Sequence, residues 1–148
     1  MIPEELKTGH PDIDAQHARI MEQLALLKSV AGTEGVPEVG AVLEFIEFLR
    51  VHFAEHFVCE ESLMRDADYP GWNEHSDIHR RFFDDFVFSR SCIAKYGATP
   101  ERLSSFMRMA ENWLADHVLG HDLEFARFLR GEPPSVSLRP LSEPRPLV

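Results

Sequence analysis

Two cysteines, Cys59 and Cys92, are all that the 148 residues carry. No disulfide framework can hold such a chain, and a reduced setting is the simplest reading. Positive charge is scarce as well. Fifteen Lys and Arg face 25 Asp and Glu, leaving a formal charge of −10, a field that repels nucleic-acid phosphates and anionic lipid surfaces. Neither nucleic acid nor membrane is expected as a partner. No apolar run approaches the ~20 residues of a membrane span. The opening Met1-Ile2-Pro3-Glu4-Glu5-Leu6 has neither the basic nor the apolar stretch of a secretory leader. A cytoplasmic location follows as the expectation. Internal repeats and alternating strand patterns are also missing, which excludes solenoid and all-β architectures.

What the chain does have is 44% hydrophobic and 27% charged residues, a globular composition. Its length suits one domain that buries roughly 70% of its unfolded surface. Glycine and proline cluster in a few places, among them Gly32, Gly35 and Pro37; Pro70 and Gly71; Gly97 and Pro100; Gly131, Pro133 and Pro134. Between them lie four segments, about 12–31, 38–68, 72–96 and 101–130, whose apolar residues recur at three- and four-residue steps. Val42, Phe45, Ile46, Leu49, Phe53 and Phe57 make such a stripe in the second, and Leu103, Phe106, Met107, Ala110, Trp113 and Leu114 in the fourth. Thr99-Pro100-Glu101 supplies an N-cap, a proline at the first helical position and an acid in the first turn. The expected fold is all-α, an antiparallel up-down-up-down four-helix bundle over residues 1–130. Residues 131–148 hold five prolines and cannot continue the last helix. A solvated extended tail is the preferred reading, with a docking segment for a protein partner as its alternative.

Eight histidines are the unusual feature. His75 and His79 stand one helical turn apart, as do His56 and Glu60; His17 lies on the first segment, and His117 precedes Asp122 by five residues. Any one of them alone is most simply a satisfied core histidine. All four helices turning such groups into their apolar stripes is better explained by a shared metal site. Five imidazoles and two carboxylates exceed one ion's needs and suit two ions, with both carboxylates bridging and the histidines divided three and two. Imidazole suits zinc, copper, iron and nickel, while bridging carboxylates and high coordination favour iron over tetrahedral zinc. On the helical wheel, His121 also falls near the centre of the fourth stripe, at ideal spacing from His117. His52 sits at the edge of its stripe and His10 precedes the first helix, so both read as non-ligands. Glu61 projects ~100° from Glu60 and reads as a surface residue or an outer partner of the ligands rather than a ligand. Cys59 reads as a buried small hydrophobe.

The ordered set Ile13-Asp14-Ala15-Gln16-His17, then His52-Phe53-Ala54-Glu55-His56-Phe57-Val58-Cys59-Glu60-Glu61-Ser62-Leu63-Met64, then Tyr69-Pro70 with His75 and His79, then Trp113-Leu114-Ala115-Asp116-His117 with Asp122, resembles the hemerythrin family, in particular its bacterial single-domain members. The resemblance spans about residues 10–130. It implies two iron ions with an oxo or hydroxo bridge, one held by His75, His79 and His117, the other by His17 and His56, with Glu60 and Asp122 bridging. It thereby implies Asp122 rather than His121 as the last ligand. It further implies that O2 binds at a vacancy on the second iron and takes up two electrons and a proton, with Leu114 lining the pocket alongside Trp113, Val118 and Phe57. Reversible O2 binding for storage, delivery or scavenging, without catalysis, is the function so implied. An O2 or redox sensor acting on a partner protein, or a di-iron oxidase or peroxidase, is the alternative. No Glu precedes a His by three residues here, unlike the Glu-x-x-His sets of ferritin-like di-iron bundles.

Overall fold

The helical periods of the sequence become four long helices in the computed structural model, which describes residues 2–32 and 35–134. Helix α1 runs Pro11–Ala31, α2 Val39–Asp66, α3 Trp72–Tyr96 and α4 Pro100–His117. Beyond α4 the chain passes through a π-helical turn, Val118–Asp122, into a short α5, Leu123–Leu129. The sequence led us to expect one unbroken α-helix over 101–130, and the π turn corrects that expectation. No strand occurs among the described residues, and no helix there is long and apolar enough to cross a membrane. The proline-rich tail from Ser135 onward lies outside the described residues.

Local signals start and stop the helices where the composition suggests. Pro11 and Pro100 open α1 and α4, where a missing N–H costs nothing. His10 Nδ1 accepts from the Ile13 amide (3.4 Å), and the Thr99 hydroxyl accepts from the Arg102 amide (3.3 Å), each satisfying one of the free donors of a helix start. Gly97 ends α3 at φ +94°, a conformation that side chains resist.

Helix α1 packs on α2 and α4, and α3 likewise packs on α2 and α4. The interior they enclose is layered. A large apolar core is built from Leu24, Ile46, Leu49, Phe53, Phe82, Phe86 and Phe106 among others, and a small apolar cluster of Ile13, Met64 and Phe125 closes the other end. Each helix carries buried polar residues between these two: His17 between Ile13 and Ile20, Glu60 between Phe57 and Met64, His75 and His79 ahead of Phe82, and Asp122 between Val118 and Phe125. The segment before α1, including a short 3-10 turn at Glu4–Leu6, adds Ile2 and Leu6 to the large core. It is tied down by the Arg130 guanidinium, which donates to the Thr8 carbonyl (2.7 Å), and by Asp14, which accepts from the Thr8 amide (2.8 Å) and hydroxyl (2.7 Å).

Candidate metal centre

The polar layer consists of His17 from α1, His56 and Glu60 from α2, His75 and His79 from α3, His117 from the end of α4 and Asp122 from the end of the π turn, all of them buried. One-turn spacing puts both members of each pair on the inward face. The last residue arrives differently. In an unbroken α-helix the residue one turn beyond His117 is His121. The π turn replaces that register with a longer one, in which the Leu123 amide bonds to the Val118 carbonyl. Asp122 thereby enters the layer, while His121 is left half-buried at its edge, its ring 5.3 Å from His117 and 5.9 Å from His75.

Seven side chains meet with their nitrogen and oxygen atoms facing one another. His117 Nε2 lies 2.9 Å from His75 Nε2 and 3.0 Å from His79 Nε2, and His17 Nε2 lies 3.1 Å from His56 Nε2. Asp122 reaches both groups, with Oδ1 at 2.9 Å from His117 and Oδ2 at 3.0 Å from His17. Glu60 Oε2 stands 3.3 Å from His56, 3.5 Å from His79 and 3.6 Å from His75. The carboxylate contacts lack the direction of hydrogen bonds: all four oxygens of Glu60 and Asp122 are buried without a hydrogen-bond partner among the described residues. Buried carboxylates are costly in that condition, and a cation between the donors removes the cost. Two donor sets could each hold one: Glu60, His75, His79, His117 and Asp122, and His17, His56 and Asp122. The nitrogen separations are compatible with that. Ligands ~2.1 Å from an ion are ~3.0 Å apart along an octahedral edge and ~3.4 Å apart along a tetrahedral one. The observed 2.9–3.1 Å is short enough for the rings of each group to share one ion.

Neighbours of the rings prepare them for this role. His56 Nδ1 faces the Gln16 amide oxygen at 2.9 Å, and His79 Nδ1 faces Glu61 Oε2 at 3.3 Å. An outer acceptor keeps the ring proton on Nδ1 and leaves Nε2 free to ligate. Phe57 lies flat on His79 (3.8 Å between centroids, 10° between planes) and Trp113 flat on His117 (4.3 Å, 11°). Leu114 and Val118 are buried in the same apolar core. The electrostatics of the layer are unequal. Burial, reinforced by Asp122, raises Glu60 well above the ordinary carboxylate range. Burial opposes ionisation of Asp122 too, but His117, His17 and His56 outweigh it and hold Asp122 well below that range. Burial pulls His117 down to about 4. It also lowers His56 and His79. His75 goes the other way: Asp122 and Glu60 overcome its burial and lift it to about 9.

All seven sequence-predicted metal residues are thus brought together. His10 caps α1, and His52, 3.9 Å from Glu55 on the same helix, stays outside the layer. Cys59 is half-buried rather than buried. One contact at the site that sequence reasoning missed is Gln16 to His56. No spacing rule could have found it, because it crosses from α1 to α2.

Residues 8–129 match the family described as the hemerythrin HHE cation binding domain. A bacteriohemerythrin of Pseudomonas paraeruginosa is 30% identical over 127 residues, covering 86% of this chain and 79% of the relative. A bacteriohemerythrin of Stenotrophomonas maltophilia is 32% identical over 123 residues, covering 83% and 76%. A myohemerythrin of Theromyzon tessulatum is 23% identical over 94 residues, covering 64% and 71%.

Proposed function

The chain belongs to the hemerythrin family, and from that premise we propose that it binds O2 reversibly at two irons joined by an oxo or hydroxo bridge, as a non-catalytic protein of O2 storage, delivery or scavenging. The observation that carries this reading is the buried layer of five imidazoles and two carboxylates, converging from α1 to α4 and the π turn, whose four carboxylate oxygens have no hydrogen-bond partner among the described residues. His75, His79 and His117 would hold one iron and His17 and His56 the other, with Asp122 shared by both donor sets and Glu60, 3.3 Å from His56 and 3.5 Å from His79, as the second bridging carboxylate. Bound there, a ferrous pair would supply the two electrons that O2 uptake requires.

The protein's own part is to hold ligands still and keep the site dry. Gln16 and Glu61 keep protons on the outer nitrogens of His56 and His79, so that the inner nitrogens stay free. Phe57 and Trp113 restrain the ring planes of His79 and His117 by stacking. Together with Leu114 and Val118 they wall the layer with apolar surface, which excludes water and competing anions. An antiparallel up-down-up-down course of α1 to α4 belongs to the same reading. It is supported by the ring of packing α1–α2–α3–α4–α1 and by the short connections 67–71 and 97–99. So does a cytoplasmic location, consistent with Cys59 and Cys92 both being free thiols.

The test is an optical spectrum of the iron-loaded, reduced protein before O2, after O2, and after O2 is withdrawn. A visible band that appears with O2 and disappears on its removal, at two irons per chain, supports the reading. One tightly bound metal per chain, stoichiometric zinc that iron cannot replace, or a band that never reverses overturns it.

A further inference from the structure

The seven donors divide unequally. Five of them, Glu60, His75, His79, His117 and Asp122, form one set, while His17 and His56 form the other only by sharing Asp122. Their outer partners divide in the same sense. One histidine of the larger set, His79, leans on a carboxylate, Glu61 Oε2 at 3.3 Å, and one of the smaller set, His56, on a neutral amide, Gln16 Oε1 at 2.9 Å, while the outer nitrogens of His117 and His17 meet no partner among the described residues. A carboxylate draws the ring proton outward more strongly than an amide does, leaving the inner nitrogen more electron-rich and a better ligand. Glu61 follows Glu60 on α2, turned ~100° around the helix. Adjacent residues thus deliver one carboxylate to the metal layer and one to the back of a histidine.

We propose that Glu61 and Gln16 rank the two metal positions, so that the three-histidine position fills first and holds its metal more tightly, and the two-histidine position fills second. Both are positioning residues, acting through His79 and His56. The inference rests on the two-metal reading above.

Titration of the metal-free full chain with Co(II), followed by the metal's visible absorption, tests it. The wild-type chain takes up Co(II) in two steps, the first tighter. Glu61→Gln, which keeps an acceptor and removes the charge, weakens the first step by about 10–100-fold and leaves the second in place; Glu61→Ala weakens the first at least as much. Gln16→Glu tightens the second step and narrows the gap between the two. The melting temperature of the metal-free Glu61→Gln chain matches wild type, which separates a ligand effect from a folding defect. Two Co(II) per chain with a first step unchanged in both Glu61 variants overturns the ranking while sparing the two-metal reading, as does an equal loss at both steps. A single Co(II) per wild-type chain overturns both.

Discussion

Around Leu49 and Phe53 on α2, and Phe82 and Phe86 on α3, the bundle interior is aliphatic and aromatic; one or two turns along the same helices it is imidazole and carboxylate. The two regions are equally buried, but different forces hold them. The apolar core releases water on assembly and stabilises itself at roughly 25 cal/mol per Å² buried. The polar layer loses hydration that its own contacts do not restore, since its carboxylates find no hydrogen bonds among the described residues. The comparison teaches that the core builds the scaffold, and that the scaffold forces the polar layer into a geometry which a cation then completes.

Removing Asp122 breaks the comparison most severely, because it is the donor common to both sets. Asp122→Ala is expected to abolish tight binding at both positions, whereas His121→Ala retains it; metal titration of the two variants decides. The opposite result would give His121 the role that the π turn assigns to Asp122. In the apolar core, Phe53→Ala is expected to cost about 3–5 kcal/mol, since Phe53 packs against Phe57, Phe82, Phe86 and Trp113. The loss in urea unfolding is expected to be alike with and without metal. A cost that appears only in the loaded protein would show that core and layer are not separable. Leu114→Ala, where core meets layer, is expected to cost about 2–5 kcal/mol and to let azide reach the iron-loaded site faster in stopped flow. Unchanged azide kinetics would put the dry wall elsewhere.

Protons distinguish the two regions more gently. In the metal-free protein His117 titrates at about 4, and His56 and His79 are also depressed, against an ordinary 6.5. Below 6.5 the unfolded chain therefore binds more protons, and stability falls as pH falls. His75, lifted to about 9, stabilises the folded state fully below 6.5 and loses that contribution as pH rises toward 9. Metal-free stability is expected to peak near 6.5, as urea midpoints across the neutral range will show. Metal replaces the His75 proton, so the alkaline fall is expected to vanish in the loaded protein. The smallest effect belongs to neither region. Thr99→Ala removes the cap of α4 and is expected to cost about 1 kcal/mol in urea unfolding, whether or not metal is bound.

Much of this arrangement is legible in the chain. The four periodic segments match α1 to α4 to within a few residues, except where the π turn interrupts the last. His17, His56, Glu60, His75, His79 and His117 announce themselves because each falls in its helix's apolar stripe. Asp122 does not. On a regular wheel His121 holds the inward place, and only resemblance to relatives pointed past it. Glu61 reads as pointing away from Glu60, and so it does; what it points toward, His79, is on another helix. The packing of Ile2 and Leu6 into the core was equally invisible, since a short segment before the first helix carries no period of its own.

The sequence by itself determined the helices, their inward faces and the donor types on those faces, because side-chain direction along a helix follows from a local geometry of 3.6 residues per turn. Only the tertiary structure decided which outer partner each histidine meets, and that the turn after His117 is π rather than α. Both depend on groups far apart in the chain. A π turn is rare because the α register is locally preferred, so contacts made across helices select the π register, and with it the carboxylate that joins the two halves of the site.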